Sequence, residues 1–269
     1  MIVDKEHTTE IKACCATLYQ SDLARLLLGE TFHPGGEALT LRLGELLQLG
    51  PESRVLDVAS GQGTSAFVLA RSFGCQVVGI DYGALAVQQA QERARTLSLD
   101  HLVTFQTGDA EHLPLPAAAF DALLCECAFC TFPNKEAAAA EFQRVLKLGG
   151  HIGLSDLTRS GDVPPDLQGL LAWIACIADA QPIERSVHFL TNAGFMLDTV
   201  ETRDEALSAL VHDIQGKLLG AELLVKLKQV ALPQEIDFAQ AKALARAAAA
   251  AIDAGQFGYA LLIATRLAL

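Results

Sequence analysis

Apolar and polar residues follow two rhythms along this chain. Short β-branched or aliphatic runs (RVLDVA, QVVGID, VTFQTGD, FDALLCE and HIGLSDL) have the length and composition of buried strands. Between them, SAFVLARSF, ALAVQQAQERARTLS and KEAAAAEFQRVLKL repeat their apolar positions at helical spacing. Strands that alternate with helices predict an α/β fold with a doubly wound, mostly parallel sheet. FMLDTVETR and GYALLIATR, nearer the C-terminus, bring the expected strands to seven.

Helical spacing also marks the flanks. Residues 9 to 29 carry Leu18, Leu23, Leu26 and Leu27 up to Gly29, FHPGG breaks the pattern, and LTLRLGELLQL resumes it as far as Gly50 and Pro51. Gly149 and Gly150 read as the glycines that end the helix before HIGLSDL. Further helices are expected near residues 166 to 180 and 185 to 193. Residues 204 to 256 read as helical with one break at Pro233, because the alanine run at 247 to 251 is a strong helix former.

The most informative local feature is VLDVASGQG, a strand that turns into a glycine loop, with Asp81 ending the next strand 18 residues beyond Gly63. Glycines there let the backbone pass close beneath a ligand, and an acid about 20 residues on accepts hydrogen bonds from ribose hydroxyls. A dinucleotide fingerprint prefers a third glycine where Ala66 stands, although alanine is an allowed variant. Asp57 inside the motif weighs more: a carboxylate repels a pyrophosphate but holds an ammonium.

With GDAEHLPLP further on, the stretch resembles the class I S-adenosylmethionine-dependent methyltransferases, over roughly residues 50 to 203. The resemblance implies S-adenosylmethionine as cofactor. It places Asp57, Ala59, Gly61 and Gly63 along its methionine and ribose, Asp81 on the ribose hydroxyls, Tyr82 beside the adenine, and Asp109 and Ala110 at the adenine amino group. Taken singly, Asp57 and Asp109 also fit helix caps and Asp81 a strand-end turn; their joint spacing favours the cofactor. The organisation expected is an N-terminal helical cap over 1–50, a Rossmann-like core over 51–203, a helical insertion over 204–256 and a final core strand over 257–269.

Composition narrows the acceptor. A chain of 269 residues, 51% hydrophobic, can bury one large core. Its formal charge of −12 opposes nucleic acids and anionic membrane surfaces, which leaves small-molecule or metalloid substrates. The N-terminus shows no export signal and no apolar stretch approaches the ~18 residues of a membrane span, so a soluble, cytoplasmic protein is expected. Seven cysteines without an export signal argue for reduced thiols rather than a disulfide framework.

Three of those thiols, Cys125, Cys127 and Cys130, fall at and just beyond the carboxyl end of the fourth strand, where open α/β sheets bind ligands. CECAFCTFPNKEAAAAEFQRVLKLGG resembles the arsenite methyltransferases, which carry a cysteine a few residues before an Asn-Lys that begins the following helix. Cys127 and Asn134-Lys135 match that layout, Cys176 follows 49 residues later, and Ala193-Gly194-Phe195 continues the match. The resemblance makes Cys127 and Cys176 ligands of trivalent arsenic, with Cys14 or Cys15 completing the set. Trivalent arsenic is soft and prefers thiolates. Held by sulfur, it keeps a lone pair for the methyl group, and no general base is needed. Cys75 and Cys125 read as core residues, and burial as small apolar groups is the structural alternative for all the thiols.

Tyr19, His33, Glu126 and Asp156, together with His112 and His188, are the other candidates for an acceptor pocket. A histidine or carboxylate base there would suit a small organic oxygen, nitrogen or sulfur acceptor. A third possibility is a sensor that binds cofactor or metalloid without turnover.

Overall fold

The computed structural model describes Lys12 and residues 33–167, 176–177, 179–227 and 237–268. Most of the helices expected over residues 9 to 29 and 166 to 180 fall outside that set, as do Cys14, Cys15, Tyr19 and Pro233. Helix α1 (Gly36–Leu46) leads into β1 (Arg54–Val58), α2 (Thr64–Phe73), β2 (Gln76–Asp81), α3 (Ala84–Thr96), β3 (Val103–Thr107) and β4 (Phe120–Glu126). There follow α4 (Lys135–Val145), β5 (Leu146–Arg159), α5 (Ile183–Asn192), β6 (Phe195–Thr202), α6 (Asp204–Lys226), α7 (Phe238–Asp253) and β7 (Phe257–Arg266). The strands form one seven-stranded sheet in the order β3-β2-β1-β4-β5-β7-β6. β1 to β5 pair in parallel, and β7 runs antiparallel between β5 and β6. The expected doubly wound, mostly parallel sheet is the one observed.

Both faces of the sheet are covered, which is why its central strands are apolar at nearly every position. Val55 and Leu124 face a core shared with Leu39 and Leu43 of α1, Phe67 and Leu69 of α2, and Ala248 of α7. Leu56, Leu123 and Cys125 face the opposite core, with Phe142 of α4 and Phe189 of α5. Each fully buried leucine or phenylalanine contributes about 1.5–3 kcal/mol relative to exposure. Leu39 and Leu43 lie one helical turn apart, and Gly44 beside them lets α1 lie close on α2, since a Cβ there would stand 2.3 Å from the Phe73 ring. Asn134 starts α4 by accepting a hydrogen bond from the Ala137 N–H at 3.0 Å.

One expectation is corrected. Gly149 and Gly150 do not end a helix: α4 stops at Val145, and the chain enters β5 directly at Leu146. Leu146 pairs with Phe120 and His151 with Ala122, so β5 carries three extra residues as a bulge between two successive pairings. Gly149 takes the bulge's positive φ of 73°, and a Cβ on Gly150 would press on the Asp121 and Lys147 carbonyls at 2.9 Å. The glycines serve a strand irregularity, and sequence alone does not separate that use from a helix end.

α6 and α7 connect β6 to β7, with Lys242 of α7 paired to Glu222 of α6 at 2.6 Å. Among the described residues no helix is long and apolar enough to cross a membrane. The strand order reverses between β1 and β4, and there the carboxyl ends of the parallel strands open a crevice.

Gly79 in β2 lies beneath that crevice, where a Cβ would stand 2.3 Å from the Phe105 ring and 2.8 Å from Ser60 Oγ. Gly79→Ala is therefore expected to cost about 1–3 kcal/mol through overpacking. A urea titration checks it: the midpoint should fall with the slope unchanged.

Candidate functional site

The crevice floor is built by the turn from β1 into α2. Ala59, Gly61 and Gly63 all adopt positive φ (59°, 52° and 80°), which reverses the chain within a few residues. Gly61 N–H donates to Asp81 Oδ2 at 2.8 Å and Gly83 N–H to Asp81 Oδ1 at 2.7 Å, so one carboxylate ties together the loops after β1 and β2. Each of its oxygens keeps a lone pair for a further donor. Nothing lies within 4 Å of a Cβ built on Gly61, so the cleft above it is open to a ligand.

Asp57 is 2% exposed, and its Oδ2 has no hydrogen-bond partner. Burial pushes its carboxyl well up, and the charges of Glu126 and Asp81 add to the effect, against one Ala66 N–H that favours ionisation. A buried acceptor left unsatisfied is costly, and a donor that carries positive charge would both satisfy this oxygen and favour the ionised carboxylate. The ammonium of S-adenosylmethionine is such a donor, the ribose hydroxyls suit the lone pairs of Asp81, and the residues present fit this cofactor.

Asp57, Ala59, Gly61, Asp81, Tyr82, Asp109 and Ala110 all line the cleft, together with His33, Glu126 and Cys127. Gly63 does not; it sits at the start of α2, where a Cβ would meet the Phe105 ring at 2.3 Å. At the far wall Lys12 reaches Asp109 at 2.8 Å and Glu111 at 2.7 Å. Glu126 is held by Ser65 Oγ at 2.6 Å and Thr40 Oγ1 at 3.0 Å, with His33 Nε2 at 3.6 Å. His188 lies apart from the cleft, against Asn192 of α5 at 2.9 Å.

Behind the cleft wall lies a thiol cluster. Cys127 follows β4 with φ 50°, Cys176 has φ 63°, and their sulfurs are 3.8 Å apart. The Cys176 thiol also donates to the Cys127 carbonyl at 3.3 Å. Sulfur atoms of Cys127 and Cys176 and a carboxylate oxygen of Asp156 lie within 4.8 Å of one another. Asp156 accepts from the Cys130 N–H at 2.6 Å and the Leu157 N–H at 2.8 Å. The shared hydrogen bond to Cys176, then burial, pushes the Cys127 thiol well up; burial, then its bond to Cys176, does the same for Cys130. These thiols are protonated at neutral pH.

Lys135 ties the turn after β4 to Asp179. It is buried, donates to the carbonyls of Cys130 at 2.9 Å and Phe132 at 3.0 Å, and pairs with Asp179. Sequence reasoning used Lys135 only as a marker, and it missed Cys130 as a member of the cluster, Asp179 as its clamp, and Lys12, Thr40 and Ser65 around the cleft. Only Cys130 carried a signal, its place three residues after Cys127 in the turn beyond β4.

Comparisons with known proteins agree with this geometry. A family model described as a methyltransferase domain matches residues 49–206. Methyltransferase GfsG of Streptomyces halstedii is 29% identical over 172 residues, which cover 63% of this chain and 61% of that protein. An arsenite methyltransferase of Halobacterium salinarum is 27% identical over 161 residues, 59% of this chain and 41% of that protein. The chain thus spans less than two thirds of the length of these curated relatives. Among solved structures, the 4+2 cyclase SpnF superposes with a TM-score of 0.78 at 23% identity, over 97% of each chain, a likeness of fold alone.

The cluster makes stability depend on pH. Burial, then the facing Cys176, pushes Asp156 up from 3.8 to about 7. Over that interval the folded carboxyl keeps a proton that the unfolded chain has shed. Its contribution is therefore complete below the unfolded value and is lost as pH rises through the folded one. The melting temperature should fall between pH 3.8 and about 7, and Asp156→Asn should flatten that fall. Equal slopes in scans of the two proteins would show that Asp156 does not titrate there.

Proposed function

We propose that this chain, which belongs to the class I S-adenosylmethionine-dependent methyltransferases, transfers a methyl group to a trivalent metalloid bound by its thiols, arsenic above all. The observation that carries the reading is the 3.8 Å separation of the Cys127 and Cys176 sulfurs, with Cys127 on the wall of the cofactor cleft. The activity in the name of the Halobacterium relative supports the same acceptor.

S-adenosylmethionine supplies an electrophilic methyl group carried on a sulfonium. Asp57 offers its unpartnered oxygen to the ammonium, Asp81 its remaining lone pairs to the ribose hydroxyls, and Asp109 and Ala110 border the adenine. Three carboxylates around one cleft, those of Asp57, Asp81 and Glu126, favour a ligand with positive charge. Cys127 and Cys176 hold the acceptor at the cleft wall, which is catalysis by proximity and orientation.

The buried Cys127 thiol, its pKa pushed well up, suits one class of acceptor in particular. Arsenous acid is neutral and condenses with two thiols, releasing two waters and leaving no net charge in the pocket. A divalent cation would instead displace the proton of a Cys127 thiol already pushed well up and bring its charge into a dry site. The chemistry therefore favours hydroxylated trivalent metalloids over zinc-like ions.

Cys127→Ser and Cys176→Ser should each lower methylation of arsenite, assayed with a small thiol reductant, by roughly 100-fold or more. Binding of S-adenosylmethionine, followed by calorimetry, should change little. Full turnover in both variants would overturn the reading. Asp57→Asn should do the opposite at the cofactor, weakening S-adenosylmethionine roughly tenfold by removing a charged hydrogen-bond acceptor; an unchanged affinity would remove Asp57 from the site.

One observation favours a second reading. His33, buried 3.6 Å from Glu126 on the same cleft, is placed to act as a base toward a small organic acceptor. That reading expects turnover to survive both cysteine substitutions and to collapse in His33→Gln.

A further inference from the structure

We propose that Asp156 completes the acceptor site as its oxygen partner, holding the hydroxyl that stays on the metalloid once Cys127 and Cys176 have bound it. The inference rests on the metalloid reading above and deepens it, from a pair of thiols to a site of two sulfurs and one oxygen. Three observations carry it.

First, the three donor atoms already converge: both sulfurs and an Asp156 oxygen lie within 4.8 Å of one another without a ligand to gather them. Second, the carboxyl cannot swing away. Its Oδ2 accepts from Cys130 N–H at 2.6 Å and its Oδ1 from Leu157 N–H at 2.8 Å, which pins both oxygens to backbone. The Cys130 thiol donates to the same carboxylate, so three of its four lone-pair sites are used and one remains for a further donor without losing any of these bonds. Third, the carboxyl is 6% exposed, so water competes little for that lone pair.

The chemistry balances with groups already present. Arsenous acid and two thiols give a dithiolate with one hydroxyl: two S–H and two As–O bonds break, two As–S bonds form, and two waters leave. Arsenic stays trivalent and no oxidant or reductant is used. Two sulfurs satisfy two positions, and the third keeps an As–OH whose proton points to Asp156, the one carboxylate of the cluster among the described residues. A hydrogen bond there fixes the direction of the arsenic lone pair, which neither single As–S bond does.

The test compares two probes that differ at this one position, arsenous acid and methylarsonous acid, in which a methyl replaces one hydroxyl. Both engage two thiols; only the first offers the hydroxyl. Binding to the full chain is measured by competition against a thiol-reactive dye, for wild type and Asp156→Asn. The expected result is a roughly tenfold or larger loss of affinity for arsenous acid in the variant, with methylarsonous acid binding unchanged. Equal affinities of the variant and the wild type for both probes would overturn the inference and leave the thiol reading standing. Parallel loss of both probes would also overturn it, assigning Asp156 to holding the Cys130 turn. Failure of the wild type to bind either probe would remove the metalloid reading itself, and the inference with it.

Discussion

A single buried ammonium joins the two halves of the acceptor site. Lys135, at the first turn of α4, donates to the carbonyls of Cys130 and Phe132 and pairs with Asp179, three residues beyond Cys176. The Cys127 and Cys176 segments are 49 residues apart in sequence and, among the described residues, share no strand pairing, so this contact does for them what the hydrogen-bond ladder does for the strands. Gln181 reinforces it by donating to Asp179 Oδ1 at 3.0 Å. Breaking a fully buried pair costs about 3–5 kcal/mol; Asp179 retains 25% exposure, so solvent reduces the figure here.

Two electrostatic regimes meet at Cys127. On one side the cleft floor gathers Asp57, Asp81 and Glu126, where burial pushes the Asp57 and Asp81 carboxyls up and a cationic ligand would favour their ionised forms. On the other, protonated thiols and the raised Asp156 make a dry pocket that admits neutral species. The sheet produces this division by its own geometry. Strand ends at the switch point open the cleft, while the turn after β4 carries Cys127 and Cys130 back beneath it onto the end of β5.

The parts legible in the sequence are those encoded locally. The glycine loop, Asp57 and Asp81 lie within one βαβ unit, where strand length fixes the spacing, and all but Gly63 of the residues marked there reach the cleft. Gly63 shows the limit, since a glycine needed for close approach to Phe105 looks the same in sequence as one needed for a ligand. Gly149 and Gly150 failed for a related reason: a helix end and a strand bulge both require positive φ. Lys12, Thr40 and Ser65 were invisible because their roles exist only through long-range contacts to Asp109 and Glu126. Cys130 was hidden by type, since a buried cysteine is usually a small hydrophobe.

The left-handed backbone at Cys127 and Cys176 carries a further meaning. A side chain at positive φ costs roughly 1–2 kcal/mol that glycine avoids. The two sulfurs are therefore mounted where the backbone itself would favour glycine, and their packing in the core offsets that strain. The acceptor site sits on a backbone geometry that the rest of the fold must hold in place.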